Sequence, residues 1–333
     1  MLRTLVSITC LLVVVVPPLA AQTYVGRPEL AALRAELETE GIVPSEFDRV
    51  FSQVQRLDRV IAAMDAPLRA PVPWHIYWPR HIGGDRLERG WQFLTRHADA
   101  LARAERVWGV PRTVIAAIIG VETVYGRITG GTRVVDALAT LAFDYPRRAD
   151  FFRSELRDFL LLARDLGRDP LEFRGSFAGA MGWPQFMPGS YRRYAVDFDD
   201  DGRIDLWNSP ADIIGSVAAF LAAHGWQRGE PVMLPVKALP QEVLTQFEGG
   251  LTPRRPWSEW VRAGVEVRER DEGVRAPAKD DSIGLIALER ADGTVEHWLA
   301  FENFYVITRY NRSRLYASAV WSLAYAFERR VRP

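Results

Sequence analysis

The sequence predicts a mainly α-helical protein (α+β) with a small β-rich unit towards its C-terminal end. Apolar residues recur at three- and four-residue steps over most of the chain, which is the spacing of an amphipathic helix. After Gly229 this spacing gives way to short strand-like runs between glycines, prolines and charged turns. The chain has 333 residues, of which 48% are hydrophobic and 25% charged. Such a composition is that of a folded protein with room for more than one domain.

The helices and strands can be placed in order along the chain. Helical spacing runs through 28–68 and is broken by the prolines of 70–74, so we expect an irregular stretch that continues past Pro79 to Gly84. Further helices are expected at 87–107, 111–124, 149–165 and 211–224, and a last one at 313–330. Short strands are expected at 233–236, 264–268, 283–288 and 294–300.

Charge balance and cysteine content exclude several classes of protein. The chain contains 42 basic and 42 acidic residues, so its formal net charge is zero. A protein that coats nucleic acid or an anionic membrane needs a basic surplus, so no nucleic-acid partner is expected. The single cysteine, Cys10, excludes an internal disulfide framework. The five histidines lack zinc-ligand spacing, which disfavours a zinc peptidase or amidase.

Residues 1–21 have the pattern of a secretory signal peptide. They contain one basic residue, Arg3, then a short apolar run, and end in small residues at Ala20 and Ala21. The run is too short to span a bilayer comfortably. We therefore expect an exported protein that is cleaved near Ala21. A lipoprotein acylated at Cys10 is the alternative, which is disfavoured because the apolar run continues past this cysteine.

One glutamate lies in an almost wholly apolar helical run. On a helix over 111–124, Glu122 shares a face with Ile118, Ile119 and Ile115. The carboxyl group is either the solvent-facing end of a buried helix or a group held in apolar surroundings. In the second case desolvation raises its pKa, to about 6 in comparable sites, and the group can act as a general acid. The run alone leaves both interpretations open.

Four longer blocks then occur in a fixed order. They read Gly-Val-Glu-Thr-Val-Tyr-Gly at 120–126, Phe-Asp-Tyr-Pro-Arg-Arg at 143–148, Gly-Ser-Phe-Ala-Gly-Ala-Met-Gly-Trp-Pro-Gln-Phe-Met-Pro-Gly-Ser-Tyr at 175–191 and Asn-Phe-Tyr-Val-Ile-Thr-Arg-Tyr-Asn-Arg-Ser at 303–313. Together they resemble the membrane-bound lytic murein transglycosylase B family, over about residues 28–330. The resemblance implies a lysozyme-like helical catalytic core, a periplasmic location and no organic cofactor. It also implies peptidoglycan glycan strands as the partner, and leaves other cell-wall enzymes open as further partners.

The resemblance assigns the chemistry to one carboxyl group. In that family the glutamate of the first block is the only catalytic carboxylate, and here this residue is Glu122. It would protonate the oxygen that links N-acetylmuramic acid to N-acetylglucosamine, and then take the proton of the muramic C6 hydroxyl as this oxygen attacks C1. The product is a 1,6-anhydro sugar, and no water is consumed. The sugar-contacting positions implied by the same resemblance are Tyr77, Arg147, Arg148, Ser176, Gln185, Tyr310, Asn311 and Tyr316.

An acidic loop offers a metal site. Residues 197–205 match the first nine positions of an EF-hand loop, with carboxylates at positions 1, 3, 5 and 9 and Gly202 at position 6. The twelfth position is Asn208 instead of glutamate. The family has a longer loop, which makes Asp212 the closing carboxylate. The ligands implied for a structural Ca²⁺ are Asp197, Asp199, Asp201, the Arg203 carbonyl and Asp212, with Asp205 joining through water. The alternative is an acidic surface turn that caps the next helix.

These observations divide the chain and leave two other functions open. The expected units are the signal peptide (1–21), an N-terminal helical region (22–110), the catalytic core with the acidic loop (111–230), a β-rich insert (231–298) and a C-terminal segment that completes the groove (299–333). A lysozyme-type hydrolase of the same polymer is the first alternative. The second is a peptidoglycan-binding protein without catalytic activity.

Overall fold

A computed structural model describes residues 23–69, 72–83, 85–245, 251, 254–268 and 275–331. The signal peptide predicted for 1–21 lies outside these residues. Helices dominate the described chain: α1 (Pro28–Thr39), α2 (Pro44–Phe51), α3 (Asp58–Arg69), α4 (Trp74–Ile82), α5 (Arg86–Arg96), α6 (Ala98–Trp108), α7 (Arg112–Thr123), α8 (Val134–Asp144), α9 (Ala149–Asp165), α10 (Pro188–Tyr194), α11 (Pro210–Ala223), α12 (Gln241–Leu244), α13 (Trp257–Arg262), α14 (Glu302–Tyr310) and α15 (Arg314–Val331). None of the described helices is both long and apolar enough to cross a membrane.

The strands form two antiparallel sheets. A two-stranded sheet pairs β1 (Thr132–Arg133) with β2 (Arg174–Gly175). A five-stranded sheet has the order β4-β6-β7-β3-β5. Its strands are β3 (Met233–Ala238), β4 (Arg255–Pro256), β5 (Glu266–Val267), β6 (Ser282–Glu289) and β7 (Val295–Ala300). β6 and β7 form its longest pairing, in register from Gly284 opposite Ala300 to Glu289 opposite Val295.

The core consists of a large apolar cluster and a smaller one. The large cluster draws on helices from both ends of the described chain, for example Leu33 of α1 and Phe327 of α15, both fully buried. The smaller cluster lies in the β unit around Trp260, whose indole Nε1 donates to the Ile283 carbonyl at 2.8 Å. The β unit also contributes Ile286 to the large cluster. The sheet is therefore packed against the helical body.

The predicted irregular stretch before Gly84 is wrong, because Trp74–Ile82 forms helix α4. Pro73 is the N-cap, where a missing backbone N–H costs nothing. Pro79 lies inside the helix, but Trp74 and Ile82 at the two ends are buried in the core. Their burial outweighs the helix-breaking tendency of proline in so short a helix. Tyr77 consequently lies on a helix and not in a loop.

Two other long predicted helices are interrupted. The segment 28–68 contains three helices (α1 to α3), and 87–107 is divided at His97 between α5 and α6. The prediction also missed α8, α10 and α14, and the short helices α12 and α13 within the predicted β-rich insert. The helices predicted at 149–165 and 313–330 agree with α9 and α15 to within a residue or two, and the four predicted strands each overlap an observed one.

Helix packing brings distant parts of the chain to one place. Helix α15 packs against α4, α5, α7 and α14, and α7 packs in turn against α5, α6 and α11. Tyr77 of α4, Glu122 of α7 and Tyr316 of α15 can therefore face one another, although Glu122 and Tyr316 are 194 residues apart in sequence.

Candidate active site

Glu122 is the second-last residue of helix α7, whose other residues from Thr113 to Thr123 are all buried. The Glu122 side chain itself is half-buried. The Tyr316 hydroxyl donates to its Oε1 atom at 2.6 Å. No described residue forms a hydrogen bond with the other oxygen, Oε2. One carboxyl oxygen is thus held in place, and the second is available to carry a transferable proton.

The protonation of Glu122 is governed by two opposing effects. Desolvation raises its pKa, because burial penalises the charged form, and the hydrogen bond from Tyr316 lowers it. The net result is a pKa of about 7 instead of the usual 4.5. No other carboxylate of the described chain contributes to this shift. The surroundings of Glu122 therefore favour the protonated acid up to neutral pH.

Three tyrosines surround the carboxyl group. Burial, followed by the negative charge of Glu122, raises the pKa of Tyr77 to about 12 and holds the pKa values of Tyr310 and Tyr316 well above the ordinary value. The rings of Tyr310 and Tyr316 are nearly parallel, 6.4 Å apart between centroids. The Tyr310 hydroxyl donates to the Pro184 carbonyl at 2.6 Å. All three hydroxyls consequently stay protonated and remain hydrogen-bond donors at physiological pH.

The end of α7 is fixed by an unusual turn. Val124 and Tyr125 both have left-handed backbone conformations, with φ of 52° and 56°, which is strained for a β-branched valine. The Thr123 hydroxyl stabilises this turn, since it donates to the Trp183 carbonyl at 2.9 Å and accepts from the Gly126 N–H at 3.1 Å. Gly126 must be glycine, because a Cβ atom there would lie 2.1 Å from the Trp183 ring.

The sequence prediction missed Thr123 and Trp183 as part of this site. A single hydroxyl at the end of an apolar helix, such as that of Thr123, is a weak signal of a functional role. The contribution of Trp183 is its backbone carbonyl, which leaves no signal in the sequence. Their contact connects α7 directly to the loop that contains Gln185. His81 was missed as well: its ring stacks on that of Tyr77 at 4.0 Å and its Nδ1 lies 2.9 Å from the Tyr77 carbonyl.

Ser176 and Gln185 interact with backbone groups near this loop. The Ser176 hydroxyl oxygen accepts from the N–H groups of Ala178 and Ala180, at 3.2 and 3.0 Å. Gln185 has a left-handed φ of 52°, and its Nε2 atom donates to the Thr129 and Gly182 carbonyls at 3.1 and 2.9 Å. Gln185 thereby links the segment after α7 to the loop that carries Pro184.

The other sequence-predicted substrate residues are not in contact with Glu122. Arg147 and Arg148 lie in a short 3-10 helix (Pro146–Arg148), where both are exposed. The Arg148 guanidinium lies over the rings of Phe151 and Phe152, at 4.2 and 5.1 Å from the centroids. Asn311 directly follows α14 and is exposed. These three side chains are accessible to a long ligand but do not form part of the tyrosine cluster.

The acidic loop brings three of its carboxylates together. Oxygen atoms of Asp197, Asp199 and Asp212 all lie within 4.8 Å of one another. Burial, followed by the nearby charges of Asp199 and Asp197, raises the pKa of Asp212, although N–H groups of Asp205 and Phe198 donate to it. Three acidic groups this close repel one another unless a cation or protons compensate their charge.

The remaining predicted ligands of the loop have other contacts. The Asp201 carboxylate accepts from the Arg203 N–H at 2.8 Å, and the Asp205 carboxylate accepts from the N–H groups of Trp207 and Asn208. Gly202 has a φ of 86°, the left-handed conformation that the sixth position of an EF-hand loop requires. The residues present therefore suit a hard divalent cation, with Asp197, Asp199 and Asp212 nearest to each other.

The sequence and the fold match known proteins along most of their length. The chain matches the family described as Transglycosylase SLT domain over residues 26–325. It is 42% identical over 305 residues to membrane-bound lytic murein transglycosylase B of Escherichia coli (strain K12), a match that covers 86% of this chain and 78% of that protein. It is 43% identical to soluble lytic transglycosylase SltB1 of Pseudomonas aeruginosa, with a TM-score of 0.83 and coverage of 91% of this chain and 99% of that one.

Two further solved structures contain ligands. Lytic transglycosylase Slt35 of Escherichia coli, solved in complex with calcium, is 40% identical, with a TM-score of 0.82 and coverage of 92% of this chain and 94% of that one. SltB3 of Pseudomonas aeruginosa, solved with NAG-anhNAM-pentapeptide, is 31% identical, with a TM-score of 0.75 and coverage of 90% and 78%. By sequence and by fold, the chain belongs to the transglycosylase SLT domain family.

Proposed function

We propose that this chain is a peptidoglycan lytic transglycosylase that cleaves the β-1,4 bond between N-acetylmuramic acid and N-acetylglucosamine, with Glu122 as acid and then base. The main support for this proposal is the pKa of Glu122, which desolvation raises to about 7. A carboxylic acid with such a pKa is protonated often enough at neutral pH to donate a proton, and is acidic enough to lose it. The relatives that share the fold are lytic transglycosylases.

In the first step Glu122 acts as the general acid. The Oε2 atom carries the proton, because the Tyr316 hydroxyl already donates to Oε1. This proton moves to the bridging oxygen as the bond from that oxygen to C1 of the muramic residue breaks. Positive charge develops at C1, and the substrate's own N-acetyl group stabilises it. Glu122 is left as a carboxylate, and the hydrogen bond from Tyr316 becomes charge-assisted and stronger.

In the second step the same group acts as a base. The muramic C6 hydroxyl attacks C1, and its proton moves to the Glu122 carboxylate. A new bond joins O6 to C1, which closes the 1,6-anhydro ring and restores the acid. No water is consumed, and all atoms of the substrate are found in the two products. In P. aeruginosa SltB3 the bound NAG-anhNAM-pentapeptide carries an anhydro sugar of this kind.

A lysozyme-type hydrolase is the second candidate, and the surroundings of Glu122 disfavour it. Most glycoside hydrolases place two carboxyl groups on either side of the scissile bond, at about 5 to 9.5 Å from one another. Within the described chain, no second carboxylate is close enough to influence the pKa of Glu122. A reaction in which one group serves as acid and base in turn needs no such partner.

We propose the sugar-binding residues on the basis of the family resemblance, supported for three of them by the tyrosines that influence or contact Glu122. Tyr77, Tyr310 and Tyr316 would supply flat rings beside the reacting sugar. The Tyr77 hydroxyl would be the donor among them, because those of Tyr310 and Tyr316 already donate to the Pro184 carbonyl and to Glu122. Ser176 and Gln185 are assigned to the sugar site by the family resemblance. Arg147, Arg148 and Asn311 are exposed and lie apart from this group. We assign them to the flanking part of the ligand, where a guanidinium can bind a carboxylate of the peptide stem.

The acidic loop is proposed to hold a structural calcium ion, as an EF-hand-like site. Asp197, Asp199 and Asp212 are the main ligands, with Asp201, the Arg203 carbonyl and Asp205 completing the site. Carboxylate and carbonyl oxygens are the ligands that Ca²⁺ takes, and E. coli Slt35 has been solved with calcium. Bound calcium would neutralise the mutual repulsion of these carboxylates. The loop carries no group that the sugar chemistry needs.

We further infer that the protein is exported to the periplasm, where its polymer lies. The support is the signal-peptide pattern of residues 1–21, with cleavage near Ala21. The mass of the protein purified from the exported fraction checks this inference. A chain that begins after residue 21 agrees with it, and a lipid attached at Cys10 contradicts it.

The Glu122→Gln variant tests the catalytic assignment. The amide has the same shape but cannot donate the proton, so we expect activity on purified peptidoglycan to fall by about 10²–10⁴-fold or more. Glu155→Gln is the matched control. Burial also raises the pKa of Glu155. However, Glu155 lies on α9, where it accepts a hydrogen bond from the backbone N–H of Gly189 in α10, and it has no contact with Glu122. Unchanged activity of Glu122→Gln, or an equal loss in the control, contradicts the assignment.

A further inference from the structure

A well-formed cavity of the described chain lies away from Glu122. It has a volume of about 640 Å³ and lies between strands β3 and β7, the start of α7 and the C-terminal half of α15. None of its lining residues belongs to the tyrosine cluster around Glu122. Its size is that of a small-molecule site, for which about 300–1,000 Å³ is usual.

The walls of the cavity are aromatic. Trp226, Trp298, Trp321 and Tyr325 all line it. The Trp226 Nε1 atom donates to the Gly109 carbonyl at 3.1 Å, which fixes this indole in place. The Trp298 Nε1 atom is buried and has no acceptor among the described residues. Flat aromatic faces of this kind suit the apolar face of a sugar ring, and an acceptor from an occupant would satisfy the Trp298 donor.

The acidic residues of the lining already have partners. Glu230 accepts from Arg275, with Nε at 2.7 Å from Oε2, and Glu296 forms an ion pair with Arg290. The Thr113 hydroxyl donates to Glu328 at 3.2 Å. Two of the three carboxylates of the lining are therefore neutralised by arginines.

Two cations of the lining are left over. Lys237 is paired with Glu266 at 3.0 Å, but neither Arg268 nor Arg329 forms an ion pair with any described residue. Both are exposed, so they lie at the open side of the cavity. Arg329 lies over the Tyr325 ring, at 5.8 Å from its centroid. A ligand with an apolar ring face and a carboxylate fits this combination of groups.

We propose that this cavity is a second binding site for the polymer, and that it takes an amino sugar carrying an acidic peptide stem. This inference rests on the proposed function, because peptidoglycan is the polymer that carries both groups on one unit. The sugar stacks between the indoles, and a stem carboxylate binds Arg268 and Arg329. The site holds the enzyme on one strand while Glu122 acts at another bond.

Fluorine NMR of the full chain labelled with 5-fluorotryptophan tests the proposal. The probe is N-acetylmuramyl-L-alanyl-D-glutamate, which has no bond for Glu122 to cleave. The signals of Trp321 and Trp183 are assigned by Trp→Phe replacement, and they report the cavity and the Glu122 cleft separately. We expect a saturable shift of the Trp321 signal. Di-N-acetylchitobiose lacks the peptide stem, and the free dipeptide lacks the sugar. Each should bind to the cavity at least about tenfold more weakly than the probe.

Charge reversal supplies the matched comparison. Arg268→Glu should weaken the affinity of the probe, measured from the Trp321 signal, by about tenfold or more. The reason is that one charge-assisted hydrogen bond is lost and a charge of the same sign as the stem carboxylate is introduced. Arg262→Glu, an exposed arginine of the same β unit that does not line the cavity, should leave it unchanged. Equal effects of the two reversals contradict the proposal.

The two signals also separate this proposal from the proposed function. A shift of Trp183 alone overturns the second site and leaves the catalytic cleft standing. A shift of Trp321 alone supports the cavity, and it counts against recognition of the muramyl unit in the cleft. If neither signal moves up to millimolar probe, the cavity proposal is wrong and the proposed substrate fails with it.

Discussion

At the scale of single residues, the chemistry depends on how Glu122 is solvated and hydrogen-bonded. Burial favours its neutral form, and the Tyr316 hydroxyl favours its charged form. The balance leaves a pKa of about 7, close to the value at which one group can both donate and accept a proton. The same hydrogen bond fixes Oε1, so proton transfer is confined to Oε2.

The pH dependence of activity should follow this balance. Since Glu122 must be protonated to begin the reaction, kcat/KM should fall about tenfold per pH unit above about pH 7. Tyr316→Phe removes the hydrogen bond that lowers the Glu122 pKa, so the decline should begin at a higher pH. The rate below that pH should drop by about tenfold or more, because the carboxyl group loses its orientation.

Tyr194→Phe is the control for this pH profile. Tyr194 packs on Phe220 and His224, and it has no hydrogen bond to Glu122. Its profile should match that of the unaltered protein. A decline that keeps its position in Tyr316→Phe, or moves to lower pH, contradicts the assigned role of Tyr316.

The raised pKa of Glu122 also makes a prediction for stability. The folded state binds the proton more tightly than the unfolded chain, whose pKa is near 4.5, so stability is lost as pH rises from about 4.5 to about 7. Glu122→Gln has no such group. It should therefore be more stable than the unaltered protein at pH 8, by about 1–3 kcal/mol, and nearly equal to it at pH 4. Urea unfolding of both proteins at pH 8 and pH 4 measures this difference in the free energy of unfolding. A difference of the same size at the two pH values contradicts the prediction.

At the scale of helices and strands, local pattern predicted some elements closely and missed others, among them α8, which is buried along nearly its whole length. Helix α9 has the predicted bounds, since its apolar spacing is regular and no proline interrupts it. Helix α4 could not be predicted in this way, because its prolines suggest a break and only the burial of Trp74 and Ile82 stabilises it. The left-handed turn after Glu122 was equally hidden, since Val124 and Tyr125 are poor candidates for positive φ.

The acidic loop supports a prediction at this scale. If Asp197, Asp199 and Asp212 hold calcium, removal of the ion by a chelator should lower the melting temperature by about 5 °C, because a ligand that binds only the folded state stabilises it. Asp199→Asn should remove most of this calcium dependence. Differential scanning calorimetry with and without calcium provides the measurement.

A neighbouring aspartate in the same loop provides the control. Asp200 is exposed, has a positive φ of 61° that asparagine tolerates, and contacts Arg103 at 3.3 Å, outside the three-carboxylate cluster. Asp200→Asn should keep the full response to calcium. A melting temperature that does not respond to chelation in the unaltered protein contradicts the metal site.

At the scale of the whole molecule, the active site is assembled from both ends of the chain. Tyr77, Glu122 and Tyr316 come from α4, α7 and α15, and only the packing of α15 on the other two brings them together. Spacing within the sequence singled out Glu122, but nothing local connects it to a residue 194 positions away. Tyr77, Tyr310 and Tyr316 were named through family resemblance. Thr123 lies in the first sequence block but was not named, because its role is a contact with a backbone carbonyl, and His81 belongs to none of the blocks.

The zero net charge is also explained at the scale of the whole molecule. It results from acidic and basic groups that lie in different places. Carboxylates are gathered in the 197–212 loop, and beside the cavity of the β unit lie two arginines that form no ion pair with any described residue. The group proposed to carry the reaction, Glu122, contributes little charge, because half or more of it is protonated at or below pH 7.

The mass of the products tests the central claim most directly. Purified peptidoglycan is digested with the unaltered protein, and the released fragments are weighed by mass spectrometry. If Glu122 serves as acid and then base, each fragment ends in a 1,6-anhydro sugar and is one water lighter than the corresponding reducing fragment. The Glu122→Gln protein should release almost none. Fragments with ordinary reducing ends would contradict the account and show that water, instead of the C6 hydroxyl, attacks C1.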